Sequence, residues 1–194
     1  MRRAAIVCLA VFLCLPVSGV AGEGEKTFQD LTQGAVLHEG VFDVYRKGDH
    51  LYVAIPPDRL GRDMVLVPRL ERGIGAAGLF GGLMFDRQAA SIVAFERHGD
   101  RVFLVKRAHR FTAPAGSAEA AALAISIGES VLQSATVAAT RPKDSAVVID
   151  VHDWMVSDLS NIDKLLRTAL KPGRATLDRS RSYVSEVKSF PRNL

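Results

Sequence analysis

From residue 40 to 73 apolar and polar positions alternate with a period of two, interrupted by glycine and proline. Phe42 and Val44 alternate with Val41, Asp43 and Tyr45, the pattern of a half-buried strand. Gly48 and Asp49 supply a turn, and Leu51, Val53 and Ile55 resume the alternation. Pro56 and Pro57 end this return strand, since proline has no N–H to give to a ladder. Residues 64–70 predict a third strand. A second hairpin follows, with strands at 92–97 and 102–107 around a turn at His98, Gly99 and Asp100. Its wording, FERHGDRVFLV, echoes VYRKGDHLYV of the first. The echo fits an internal duplication, or more simply one turn solution used twice. Two copies are too few for a propeller or solenoid.

The period changes after Pro114 and Gly116. Residues 117–133 predict a helix, with Ser117 as its cap and Glu119 in its first turn. Ser126, Glu129, Ser130 and Gln133 would form its polar stripe, while Ile127, Val131, Leu132 and the alanines face the sheet. Gly128 inside it costs about 1 kcal/mol relative to alanine. Residues 147–151 are a β-branched run suited to a buried central strand. A second helix is expected at 159–170, with Leu159, Ile162, Leu165, Leu166 and Ala169 on one face and Lys171, Pro172 and Gly173 as its stop. Tyr183, Val184 and Val187 begin what reads as one more strand. The fold class implied is α+β: a mostly antiparallel β-sheet built from two hairpins and adjoining strands, with two helices packed on one face.

The N-terminus is read separately. Arg2 and Arg3 precede an apolar run over residues 4–15 that Pro16 closes, and Gly19, Val20 and Ala21 provide small residues for cleavage. This predicts a signal peptide over residues 1–21, cleaved near Ala21, and export to the periplasm or beyond the cell. The run is shorter than the ~20 residues a membrane span needs. Neither Cys8 nor Cys14 has the small preceding residue of a lipid-anchored leader. Residues 22–35 read as a polar leader with at most one helical turn, and residues 36–194 as a single domain, incomplete at its C-terminal end. Both cysteines fall in the signal, so the mature chain has no thiol for disulfides, catalysis or metal ligation. Without the signal's two arginines the balance is 23 basic against 21 acidic residues, or +2. The basic residues are scattered, with no block interleaved with aromatics, which argues against nucleic acid.

Candidate chemistry is sparse. Gly73, Gly75 and Gly78 fit G-x-G-x-x-G, with Glu96 near the offset of a ribose-binding acid. A dinucleotide site needs a helix whose N-terminus meets the pyrophosphate, and Leu79, Phe80, Gly81 and Gly82 are a poor helix start. His38 and Glu39 would open H-E-x-x-H, but Phe42 stands where the second histidine belongs. Asp150, His152 and Asp153 form the densest titratable cluster, and Asp150 and His152 would share a strand face, raw material for acid–base work. The plainer reading has Asp153 turning the chain and His152 partly exposed. His50, His98 and His109 sit at turns or strand ends and read as solvated. No serine lies in a G-x-S-x-G elbow, and no Gly-Lys-Ser/Thr phosphate loop exists. No position is therefore assigned a catalytic, metal or cofactor-binding role.

With these residues in place, GVFDVYRKGDHLYVAIPPDRLGRDM resembles the N-terminal region of exported bacterial zinc-dependent metallopeptidases, the zincin-like proteins, which begin with a domain of unknown function. The resemblance continues through Asp86 and Arg87, IVAFERHGDRVFLV, SIGESVL, VVIDVHDWMVSD and RSYVSEVKSFPRN. It implies a peptidase domain as partner in the same chain, with zinc bound only there. The H-E-x-x-H helix of such proteins is absent from these residues, so no catalytic residue carries over. Two functions compete: a non-catalytic N-terminal domain with a structural or substrate-access role, and a stand-alone exported binding module of unknown ligand. An enzyme using Asp150 and His152 ranks third. A domain lacking its continuation should also self-associate through an open sheet edge.

Overall fold

The polar start of the domain is organised by one hydrogen-bonded cap. Thr27 Oγ1 accepts from Asp30 N at 3.2 Å while the Asp30 carboxylate accepts from Thr27 N at 3.1 Å. This capping box opens α1 (Phe28–Thr32), the single turn anticipated in the leader. The computed structural model describes residues 27–72, 80–82, 90–109, 111–159, 162–169 and 176–194. The expected signal peptide and the G-x-G-x-x-G glycines lie outside the described residues.

The first hairpin forms as its alternation implies. β1 (Val36–His38) leads to β2 (Asp43–Lys47) and β3 (His50–Ile55), with Lys47 opposite His50 across the turn. Gly48 takes φ +59° there, and Gly99 takes φ +62° at the equivalent place in the second hairpin. A glycine of positive φ in first place marks the tight turn whose twist suits the flanking strands. A 3₁₀ turn at Pro57–Arg59 follows. β4 is only Met64–Leu66, shorter than the strand expected to residue 70, because Pro68 removes a ladder donor. The second hairpin is β5 (Ser91–His98) and β6 (Arg101–Lys106).

The region after β6 departs from expectation. α2 is Ala118–Ser126, capped by the Ser117 hydroxyl on Ala120 N at 3.0 Å, and it ends at Ile127 instead of running to residue 133. Gly128 disfavours continuation, and the sequence from Ser130 is rich in strand formers. β7 (Ser130–Thr140) takes over as the longest strand, so the polar stripe read across a helix is split between helix, turn and strand. None of the residues of α2 is buried, so the expected seat of this helix on the sheet is not seen. β8 (Val147–Asp150) is the β-branched run; α3 (His152–Met155) and α4 (Ile162–Ala169) follow, the latter opened by the Asp158 carboxylate on Ile162 N at 2.5 Å.

Among the described residues eight strands join one antiparallel sheet in the order β1-β2-β3-β8-β7-β6-β5-β4. The chain lays down three strands from one edge, crosses to the other edge, and winds back until β8 seats beside β3. The fold is thus β-rich α+β with a mostly antiparallel sheet, as read from the pattern. Register shifts at Leu104/Val105 and Val137/Ala139 bend the sheet. Its concave face holds Phe42, Val44, Val53, Ile55, Phe95, Val102, Ile149 and Trp154 in a single cluster. Its convex face carries Tyr45, Tyr52, Ala54 and Val148 beneath Leu31 of α1. The tail, expected as a strand, joins no ladder over residues 182–189, and Val184 and Val187 pack against the concave cluster.

Candidate functional site

The Asp150 cluster is built by the meeting of β3 and β8. Asp150 ends β8 and stands opposite Tyr52 of β3. Its Oδ1 accepts from Leu51 N at 3.2 Å and His152 N at 3.0 Å, and its Oδ2 meets His50 Nδ1 at 2.5 Å. The His50 ring stacks on Tyr52 with centroids 5.5 Å apart, leaving its side chain 61% exposed. Burial, then the Asp150 charge, pushes the Tyr52 hydroxyl above its ordinary range.

The three residues singled out in the sequence are therefore not brought together as a catalytic group. His152 gives Asp150 its backbone N–H, while its ring Nδ1 is buried without a hydrogen-bond partner. Asp153 points away to an exposed ion pair with Arg179. The partner of Asp150 is His50, one hundred positions earlier, which sequence reading left as a solvated turn residue. A signal existed in its place beside the Gly48 and Asp49 turn, but only the β3–β8 pairing reveals it. An imidazole oriented by a carboxylate can accept a proton. No serine or threonine hydroxyl bonds to this imidazole among the described residues, and the carboxylate is also committed to two backbone donors. The geometry is that of a tie joining the start of β3, the end of β8 and the start of α3.

Two further histidines are paired with acids. His109 Nε2 lies 2.6 Å from Asp63, and His98 Nε2 lies 3.6 Å from Glu96. Glu96 also takes Arg107 at 2.6 Å, and the same guanidinium reaches Glu129 at 2.7 Å and Asp63 at 3.2 Å. These hydrogen bonds, with Glu129 first, raise the Arg107 pKa, and those from His109 and then Arg107 lower that of Asp63. His38 ends β1, and Phe42 is buried in the concave core, so the H-E-x-x-H fragment has no helix to act from.

A second polar knot underlies a cleft of about 860 Å³ beside α1, lined by Phe28, Tyr45, Thr140, Arg141 and Lys143 among others. Arg141, only 3% exposed, donates to Asp144 through two bonds of 2.8 and 2.6 Å, to Asp43 at 2.5 Å and to the Tyr45 hydroxyl at 3.2 Å. Its donors are consumed inside the protein. The Arg141 hydrogen bonds hold the Asp144 carboxyl below the usual carboxylate range, with help from Ala146 N. Among the described residues no group of three His, Cys, Asp or Glu side chains could hold a metal ion, and no helix is long and apolar enough to cross a membrane.

Comparison with known proteins divides the chain into two sequence segments, which share one sheet. Residues 25–73 match a family described as Domain of unknown function (DUF5118). They contribute α1 and β1–β4, whereas the later segment contributes β5–β8 and the tail. The seams are the β3–β8 and β4–β5 ladders. No curated protein and no solved structure matches the chain. Residues 86–194, more than half of the sequence, match the family described as Domain of unknown function (DUF5117), and the chain belongs to that family.

Proposed function

We propose that the chain is the non-catalytic N-terminal part of an exported zinc-dependent metallopeptidase-like protein, where it packs against the peptidase domain and shapes access to it. The sequence resemblance supplies the family expectation. The observation that carries the packing role is the exposure of large apolar side chains on α2, β4 and β7. Ile125 is 88% exposed, Val65 of β4 68% and Val131 of β7 60%. Val65 pairs with Ile92, and Val131 pairs with Val105, so these side chains lie on the outer face of the β4–β7 half. Covering these apolar side chains is the contribution the proposed peptidase interface would make. In the assembled protein α2 and α4 become the helices held between this sheet and its neighbour. Export follows removal of the leader near Ala21, and zinc resides in the peptidase domain alone.

The test is association of the purified chain. It should form dimers or larger species, and Ile125→Asp should shift it towards monomer with its melting temperature unchanged. A wild-type chain that stays monomeric and binds no hydrophobic dye contradicts the packing role. A second reading, a stand-alone exported binding module, draws on the groove in which the C-terminal tail lies.

A further inference from the structure

The chain leaves the sheet after β6 and returns at β7, and both ends of this excursion meet one guanidinium. Arg107 directly follows β6, and Glu129 directly precedes β7. The Arg107 side chain, 14% exposed, donates to the two Glu129 oxygens at 2.9 and 2.7 Å. It also donates to Glu96 of β5 at 2.6 Å, to Asp63 at 3.2 Å and to Gly61 O at 3.3 Å. A guanidinium suits this work, because its fixed fork of donors serves several oxygens at once. The Arg107 backbone N–H is pinned to Ile92 O at 2.8 Å, and His109 adds a tie to Asp63 at 2.6 Å.

Between these ends the excursion is lightly held. Among the described residues from 107 to 129 none is buried. In α2 one stripe, Ala120 and Leu123, reaches half-burial, while Ile125 is 88% exposed. Among the described residues from 111 to 128 the backbone hydrogen bonds run to near neighbours in the chain. Ser117 N donates to Pro114 O at 3.1 Å, and Ile127 N donates to Leu123 O at 2.8 Å. Few buried apolar contacts and an exposed, locally bonded backbone mark a part of a fold that opens well before the whole. The polar hub is arranged to let go at one end. Asp63, just before β4, and Glu96 of β5 hold Arg107 to the sheet. Glu129, with 43% of its side chain exposed, can therefore part from Arg107 without dissolving the other pairs.

We propose that residues 111–128 form an arm carrying α2, which the Arg107–Glu129 pair latches by closing its base. With the pair closed, α2 is presented in one direction. With it open, the base spreads and the helix swings, while Arg107 stays on Asp63 and Glu96. The latch thus decides whether Ile125 faces one way or samples many. This device belongs to the arm itself and holds whatever the chain packs against.

The experiment measures the distance between two nitroxide labels by pulsed electron paramagnetic resonance. One label is placed by Ala121→Cys on α2 and the other by Asp100→Cys in the turn of the second hairpin, both exposed positions. Cys8→Ser and Cys14→Ser remove the chain's own thiols, and dilution into unlabelled chain confines the reading to distances within one molecule. With Glu129 in place the distance should be single and narrow. Glu129→Ala should add a second, broader population, the open arm. Arg107→Lys, which keeps the charge but loses the fork, should move the distribution the same way. A second label pair, Asp49→Cys with Asp100→Cys, reports the two hairpin turns and should keep one unchanged distance in every variant. A narrow arm distance that Glu129→Ala leaves unaltered overturns the proposal. A broad distribution with Glu129 present overturns it too, because nothing is then latched. Loss of the turn-to-turn distance in Glu129→Ala also overturns it, since Glu129 would then hold the sheet instead of the arm.

Discussion

The rings of Phe42 and Phe95 meet edge to face with centroids 5.4 Å apart, although the strands they flank stand five positions apart in the sheet. At about 4.8 Å per strand a flat sheet would separate those strands by about 24 Å. The contact therefore measures how far the sheet curls, and it bridges the two family segments. Both rings are buried. Phe42→Ala or Phe95→Ala should cost about 3–5 kcal/mol of stability in urea unfolding. The double variant should lose about 0.5–1.5 kcal/mol less than the sum of the two, the coupling of an aromatic pair.

Asp150 predicts a contrast between structure and chemistry. Asp150→Ala strips acceptors from Leu51 N, His152 N and His50 together and should destabilise the fold by about 2–3 kcal/mol. His50→Ala removes only an exposed partner and should cost about 1 kcal/mol or less. Chemical denaturation of both variants checks this. Equal, large losses would show that the exposed imidazole, more than the backbone tie, holds the junction.

The two hairpins were legible because a period-two pattern bounded by Gly48, Pro56 and Gly99 depends on neighbours in sequence. The β-branched run at β8 was legible for the same reason. The end of α2 was not, because alanines and Leu123 suit a helix while Ser130 onward is decided by pairing with β6. The His50–Asp150 tie was invisible for a related cause: it depends on β8 returning to the middle of the sheet. The tail's apolar spacing was visible, but its geometry comes from Arg46 and Gly40, well over a hundred residues away. Dispersal of the Asp150, His152 and Asp153 group follows from α3, which begins directly after the strand and turns His152 out of register.

Acid should weaken the protein through its paired aspartates. Asp144 is held below its ordinary value of 3.8, first by the Arg141 hydrogen bond. A depressed folded pKa gives stability that is present above the unfolded value and lost as pH falls through the folded one. Asp63, Asp30 and Asp178 are shifted in the same direction, each by hydrogen bonds. Stability measured from pH 6 downward should therefore decline below about pH 4. Asp144→Asn should flatten part of that slope and leave the remainder. Arg141→Ala, which takes the buried guanidinium from Asp43, Asp144 and the Tyr45 hydroxyl, should cost about 3–5 kcal/mol at neutral pH.

The chain should carry no zinc of its own. After dialysis against chelator and then zinc-containing buffer, elemental analysis should find far less than one zinc per chain, and the protein should not hydrolyse a peptide library. Stoichiometric retained zinc would show that ligands exist beyond the pairings described.

One measurement bears most directly on the claim that two sequence families build one scaffold. A specific protease site placed between residues 73 and 86 would allow the folded chain to be cut between the two matched segments. Because β3 pairs with β8 and β4 with β5, and because Phe42 packs on Phe95, the two pieces should co-elute without denaturant and melt in a single transition. Pieces that separate on a sizing column, or that melt in two independent steps, would contradict the shared core.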